Sequence, residues 1–495
     1  MAEKILIVGS GIAGMCSAMA LASRGHQVTL LERDQPPPDG DAEKAFFEWP
    51  RRGASQFRHP HAFLGLMCNL LQDNYPDLLD DFYAAGARRV EFIDMLPPNL
   101  AARYTPRPGD ERLFVLMCRR ATIETVLRRY VEHLPGIEIL NGAIVEGLLT
   151  EQGAQGLTVT GVRLHPKSAV HYGAELTADL VVDASGRTTK FPRWFSELGV
   201  DVHTEDHDAE IVYYTRHYKF KPGVAEPPRT GKDRAGGDLG YIKFGIFPGD
   251  NGHFALIVCL HRSEEKLIEA IQDGDTFDAV CRTIPGLQPW IAEDKAEATT
   301  HSFGMGDIRA QWRHYVGNGA PLARNFFAVG DAMIRTNPLY GRGCSTGILH
   351  AHILADVLDA ETDPAARARL FDARSESELR PIYATSLAED RRGIRRARAQ
   401  ASGKLVHKTP TLRKRLMAGF AEAIMAAAMN NLHVFRGVMR TTNLLEKPGA
   451  FLKDWRTRLI LLRYMLRGRK KNMAAALQRG PKRAEMLKLV EEIKA

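Results

Sequence analysis

Residues 4–32 read KILIVGSGIAGMCSAMALASRGHQVTLLE, and this stretch decides the fold. Its first five residues, KILIV, form a short continuous apolar run suited to a parallel strand buried on both faces. Gly9-Ser10-Gly11-Ile12-Ala13-Gly14 follows, a GxGxxG loop, and Ala18, Met19, Leu21 and Ala22 then recur at helical spacing. Arg24-Gly25-His26 ends that helix, and residues 28–31 (VTLL) form a second strand that ends in Glu32, with Arg33 behind it. Each piece suits the holding of a dinucleotide. Gly9 permits the tight turn, Gly11 lets the backbone approach a pyrophosphate, and Gly14 lets the helix pack closely on the strand. The helix start offers free N–H groups and a positive dipole end to the same anion. Glu32, at the tip of the second strand, can accept both hydroxyls of an adenosine ribose. Strand, glycine loop, helix, strand and acid in this order are far more specific than the glycines alone. They do not by themselves separate FAD from NAD.

The chain has 495 residues, too many for one ordinary core, so two interleaved or successive domains are expected. With 44% hydrophobic and 25% charged residues, its composition is that of a soluble globular protein. No charge-free apolar run reaches bilayer length, and the first apolar run goes straight into the glycine loop, which reads as a strand and not a signal peptide. Six cysteines, at 16, 68, 118, 259, 281 and 344, show no CxxC pair; reduced, buried thiols in a cytoplasmic protein are expected, with no metal site. The net charge of +8 is unevenly spread. Residues 401–495 hold 21 Lys or Arg against 6 Asp or Glu, a balance of +15, which leaves −7 for the first 400 residues. Basic character belongs to the C-terminal segment, not to the catalytic body.

Three downstream segments separate FAD from NAD. Residues 180–187 (LVVDASGR) form an apolar strand that ends in Asp183 and turns through Gly186. Residues 325–331 (NFFAVGD) form another, ending in Gly330-Asp331 and running on to Asn337-Pro338-Leu339-Tyr340-Gly341-Arg342-Gly343 and a small-residue helix over 344–358. Cys118-Arg119-Arg120-Ala121-Thr122-Ile123-Glu124 opens a third segment, a helix continuing through Val126, Leu127, Tyr130 and Val131. With the N-terminal unit, these resemble the glutathione-reductase-type FAD fold of the flavoprotein monooxygenases, the para-hydroxybenzoate hydroxylase group. The resemblance covers roughly residues 1–360 and implies a role for each matching residue. Arg120 would reach the ribityl–phosphate region, and Val145, on the strand after Asn141, would touch the adenine. Asp183 would sit near the pyrophosphate, and Gly330-Asp331 would bind the ribityl chain or phosphate. Pro338, Gly341 and Gly343 would border the flavin, the two glycines aiming N–H groups at its N1/O2 edge. That last role also makes chemical sense, because a reduced flavin carries negative charge near N1.

Residues 51–63, RRGASQFRHPHAF, and Gly86-Ala87-Arg88 carry a closer resemblance. They are similar to elements of the flavin-dependent epoxidases that act on polyene chains in polyether antibiotic biosynthesis, with Gln56, Arg58, His59, His61 and the 337–343 loop as counterparts. Pro60 between the histidines and Arg342 within the glycine pair depart from that pattern, so the substrate is not carried over. Physically, Arg58, His59 and His61 would form a cationic, hydrogen-bonding loop beside the pyrophosphate, with Arg58 in contact with FAD.

Residues 209–220, 241–247 and 253–260 alternate like antiparallel strands, with Gly249-Asp250-Asn251-Gly252 as a hairpin turn. Tyr213, Tyr218, Phe244 and Phe247 on them are expected to pack in the core, although an apolar pocket wall would use the same residues. From Lys404 onward the chain is helical in character, and basic residues bracket its apolar stretches. Three readings fit that pattern: a solvated face on packed helices, a surface for an anionic membrane, or one for an acidic protein partner. Nucleic acid is not expected, since stacking aromatics are not interleaved.

The fold expected is therefore α/β: a Rossmann-like FAD-binding domain (1–87, 113–190, 321–360), an interleaved antiparallel β-sheet substrate domain (88–112, 191–320), and a basic C-terminal helical region (361–495). The function expected is that of a flavin-dependent monooxygenase acting on a hydrophobic small molecule by epoxidation or hydroxylation, through the C4a-hydroperoxide that the resemblance implies. No second GxGxxG follows a strand, so reducing equivalents come from transiently docked NAD(P)H or from a partner flavin reductase. A lipid-chain reductase of the same fold is the enzyme rival, and a flavin-binding or anchoring protein without turnover the rival of another class. A flavin halogenase would carry a Trp-x-Trp-x-Ile-Pro stretch, which this chain lacks. The expected location is cytoplasmic, including the inner face of the membrane.

Overall fold

The computed structural model describes residues 2–230, 233–401, 412–476 and 479–494. Residues 402–411, where the basic C-terminal stretch begins, lie outside the described residues. Five parallel strands form the central sheet, in the order Phe326–Ala328, Leu180–Asp183, Lys4–Val8, Gln27–Glu32 and Ile137–Asn141. Lys4–Val8 pairs on both sides, Ile5 opposite Leu180 and Val28, which is why its four apolar residues are all buried.

The glycine loop is shaped by contact. Gly9 has φ +107°, and a Cβ there would lie 2.6 Å from the Ala184 carbonyl oxygen. A Cβ on Gly14 would stand 1.9 Å from the Gly9 carbonyl oxygen, so no other residue fits. The helix Ile12–Ala22 then lies against the helix Gly343–Ala360, with Ala13 near both Gly330 and Gly347.

Above this domain stands an antiparallel sheet in the order Gly236–Asp238, Ile242–Pro248, His253–His261, Ile211–Phe220 and Ala296–Ala298, with Phe303–Met305 pairing onto Ile211–Phe220. The hairpin at 249–252 joins two of these strands. Its Asp250 is fully buried and accepts from the Arg119 backbone N–H at 2.7 Å and from the Arg119 guanidinium at 2.7 and 3.1 Å. The roof sheet is thereby bolted to the FAD-side domain at the residue preceding Arg120.

The residues after 361 disperse over three places. The 38-residue helix Pro364–Ala401 runs along the body. Residues 412–476 build a small core with Phe92, Leu96, Leu100 and Leu113. The helix Arg483–Lys494 buries Met486 and Val490 against the helices Glu265–Ala270 and Gly274–Arg282, in the core behind the roof sheet. No helix among the described residues is long and apolar enough to cross a membrane. All six cysteines are free, and five are buried.

Candidate active site

One cavity of about 880 Å³ runs from the glycine loop to the underside of the roof sheet. Its wall includes Gly9, Gly11, Ile12, Ala13, Glu32, Arg33, Arg120, Val145, Gly330, Asp331, Pro338, Gly341 and Gly343, drawn from segments more than 300 residues apart. Gln56, His59 and His61 line it too, whereas Ser10, Gly14, Arg58 and Asp183 stand elsewhere. Gly14 lies behind the loop as a packing contact. Ser10 is buried, and its hydroxyl donates to the Glu32 carboxylate at 2.6 Å. Asp183 is fully buried behind the wall; its carboxylate accepts from the Ser185 backbone N–H at 2.9 Å and from the Ser185 and Thr189 hydroxyls. It therefore shapes the turn whose residues Ala184, Ser185 and Gly186 face the cavity, and does not face it itself.

Arg58 is the clearest correction. It does not line the cavity; its guanidinium lies 4.8 Å from the Phe46 and Phe57 ring centres, and its carbonyl accepts from His217 Nε2 at 2.7 Å. The arginine that reaches inward is Arg51, at the start of the same loop. It meets Glu32 at 2.9 Å, Asp34 at 3.0 Å and Glu124 at 2.7 Å, and donates to the Ser10 carbonyl at 3.2 Å. Burial opposes the Arg51 charge, but Glu124 and Glu32 outweigh it and raise the affinity of Arg51 for its proton. The signal that could have found Arg51 is its pairing with Glu124, which only the folded chain brings together.

The histidine loop also differs from expectation in charge. His59 Nδ1 is 2.9 Å from the Thr215 hydroxyl, His61 Nδ1 donates to the His59 carbonyl at 2.9 Å, and His61 Nε2 accepts from Arg120 at 2.9 Å. Burial and Arg187 push His59 down to about 4, and burial and Arg120 push His61 down to about 3. Both rings are neutral near pH 7, so the loop's positive charge comes from arginines. Arg120 in turn donates to Glu124 at 2.6 Å, whose carboxyl is held at about 2 because Arg120 and Arg51 outweigh the opposing effect of burial. Among the described residues no three His, Cys, Asp or Glu side chains group to hold a metal.

The 337–343 loop is held from outside by the long helix. Asp390 accepts from Asn337 at 2.7 Å and from the Tyr340 hydroxyl at 2.8 Å. Arg342 turns away from the cavity to Ser386 and Glu389, leaving the flanking glycines on the wall. On the roof side, Tyr213 and Phe247 line the cavity, whereas Tyr218 and Phe244 pack in the core behind the sheet, where Phe244 only borders the cavity. Two of the four roof aromatics are thus pocket wall, and the other two keep the expected core role.

The cavity fits FAD. A Cβ on Gly11, Gly186 or Gly341 would meet nothing within 4 Å, so at all three the bare backbone borders open space. Eight Arg or Lys residues against Glu32 and Asp331 line the walls, an electrostatic match for a dianionic pyrophosphate. Asp331 is half-buried, desolvation raises its proton affinity, and its carboxylate bonds no side chain among the described residues, which leaves it for a hydroxyl of the cofactor.

Fold and site together define an FAD-dependent oxidoreductase, and residues 4–178 match the family described as FAD dependent oxidoreductase. The chain is 26% identical to Protein Rv3254 of Mycobacterium tuberculosis over 373 residues, 72% of this chain and 73% of that one. It superposes on pqsL, a probable FAD-dependent monooxygenase from Pseudomonas aeruginosa, with TM-score 0.55, 18% identity and coverage of 81% and 96% of the two chains. It also superposes on the flavin-dependent brominase Bmp2 with TM-score 0.58, 16% identity and coverage of 95% and 100%.

Proposed function

We propose that this protein is a flavin-dependent monooxygenase that places one oxygen atom, by epoxidation or hydroxylation, in a hydrophobic organic substrate. The observation that carries this reading is the single cavity joining the FAD cradle to an apolar chamber under the roof sheet. FAD, once bound and reduced, supplies the electrons that activate dioxygen. The chain's residues do the rest. Glu32, Arg51, Arg120 and the bare glycines hold the cofactor. Gly343, at the start of the helix Gly343–Ala360, offers its N–H group and a positive dipole end to developing negative charge, while the Gly341 N–H is donated to the Pro338 carbonyl at 2.9 Å. Tyr213, Phe247, Ile257 and Met305 exclude water and hold the substrate's apolar body. Lys243 and Arg229 in the same wall favour a substrate with one polar or anionic end. Electrons come from docked NAD(P)H or from a reductase that delivers reduced flavin.

The experiment is turnover under ¹⁸O₂ with photoreduced enzyme and a panel of lipophilic acids, polyenes and phenols. A product bearing one heavy oxygen supports the proposal. A product gaining two hydrogens and no oxygen would move the reading to a reductase of lipophilic chains. Anaerobic reoxidation by no compound, with oxygen uptake yielding only peroxide, would favour a flavoprotein without turnover.

A further inference from the structure

The helix Trp455–Arg467 presents to solvent a face that its own packing does not use. Its inward side is ordinary: Thr457 and Leu461 are buried, while Ile460 and Tyr464 pack against the small C-terminal core. On the opposite side Trp455, Leu459, Leu462 and Leu466 recur at four-, three- and four-residue steps, the spacing of one helical stripe. They are 63%, 57%, 52% and 80% exposed. At 3.6 residues per turn, Arg456 and Arg463 flank the stripe on one side and Arg458 on the other. Residues 455–471 contain no acid; Arg467 closes the helix and Lys470 and Lys471 extend the positive charge beyond it, while Arg469 between them is paired with Glu422. The adjoining helix Leu412–Ala428 adds exposed Leu416 and Met417 beside exposed Arg413 and Arg415. Scattered exposed leucines are unremarkable, but an apolar stripe with a Trp at one end and arginines on both flanks is not.

We propose that this face docks onto a membrane surface rich in anionic phospholipid. The helix lies in the interface plane, with the Trp and Leu side chains among the upper acyl chains and the arginines against lipid phosphates. An acidic protein would satisfy the charges but would leave four large apolar side chains seeking a groove, whereas a lipid interface satisfies both at once. The proposal is independent of the chemistry assigned to the cavity.

The other four tryptophans, Trp49, Trp194, Trp290 and Trp312, are buried, so the fluorescence accessible to acrylamide belongs to Trp455. The holoenzyme is mixed with vesicles of phosphatidylcholine alone or with one third phosphatidylglycerol. Co-sedimentation with the anionic vesicles, reversal by salt and loss of acrylamide quenching are expected. R456Q and R463Q should each weaken partition about fivefold, the equivalent of ~1 kcal/mol per basic residue. The double variant L459E/L462E should stay in the supernatant with an unchanged flavin spectrum, which shows that it is folded. Equal binding to both vesicle types, or undiminished binding by L459E/L462E, overturns the proposal. So does a concentration-dependent dimer in the ultracentrifuge that L459E/L462E abolishes, because the stripe would then be covered by a second copy.

Discussion

Glu124 is the perturbation that tests the site most sharply. Its carboxylate is fully buried between Arg51 and Arg120, at 2.7 and 2.6 Å, and holds both cations where they line the FAD cavity. Its proton affinity falls from an ordinary 4.5 to about 2; burial alone would have raised it, and the two arginines more than compensate. At 1.36 kcal/mol per pH unit this drop corresponds to about 3 kcal/mol of favourable interaction with the ionised form. Because the folded value lies below the unfolded one, that stability is present above pH 4.5 and is lost as the pH falls toward 2. Glu124→Gln keeps the shape and removes the charge, leaving two buried guanidiniums less compensated. The expected result at pH 7 is a loss of about 3 kcal/mol in urea unfolding, read by tryptophan fluorescence, together with weaker FAD retention on gel filtration. The double variant R120M/E124Q should regain part of the loss, since it also removes a stranded charge. A loss in E124Q smaller than about 0.5 kcal/mol, with FAD binding intact, would refute the reasoning, because it would mean the ion cluster contributes nothing beyond its solvated equivalent.

Arg51→Ala should lose FAD, whereas Arg58→Ala should keep it and only loosen the packing at Phe46 and Phe57; cofactor content after dialysis distinguishes the two, and equal losses would restore Arg58 as a cofactor contact. Burial holds His59, His61 and His217 at about 4, 3 and 3, so each resists protonation in the folded state. Stability should therefore be level above pH 6.5 and decline as the pH falls from there toward 4, while FAD affinity between pH 7 and 8 stays flat; a stability rise on acidification through that window contradicts the assignment. Asp250→Asn removes the charge that anchors the roof hairpin to Arg119, and it should cost about 3 kcal/mol. Its flavin should also become more accessible to iodide quenching, and unaltered quenching would show that the roof has another anchor.

Much of the cradle was legible from residues 4–32, because glycine geometry, strand burial and a terminal acid are local properties that leave a local trace. Gly9, Gly11 and Glu32 needed no distant partner to be read. Arg51 did: within 51–63 three arginines, at 51, 52 and 58, stand in irregular backbone, with no periodicity to say which faces inward. Contacts with Glu124, more than 70 residues away, make that choice. Asp183 shows the reverse case, a motif residue correctly placed in the chain whose carboxylate serves the turn behind the wall. Tyr213 and Tyr218 could have been separated at once, since five residues along one strand place them on opposite faces. The neutrality of His59 and His61 depends on burial, which sequence does not display.

The order of the central sheet bears on how the protein is made. Leu180–Asp183 sits between Lys4–Val8 and Phe326–Ala328, so the strand synthesised first acquires one neighbour after residue 180, and the sheet gains its last edge after residue 326. At roughly 5–20 residues per second, a ribosome needs on the order of 15–60 s to cover that distance. Through that interval the nascent chain carries an unfinished, strongly apolar sheet that chaperones must shield. The glycines at 341 and 343 emerge later still, so the FAD cradle is complete only when the chain is about two-thirds translated.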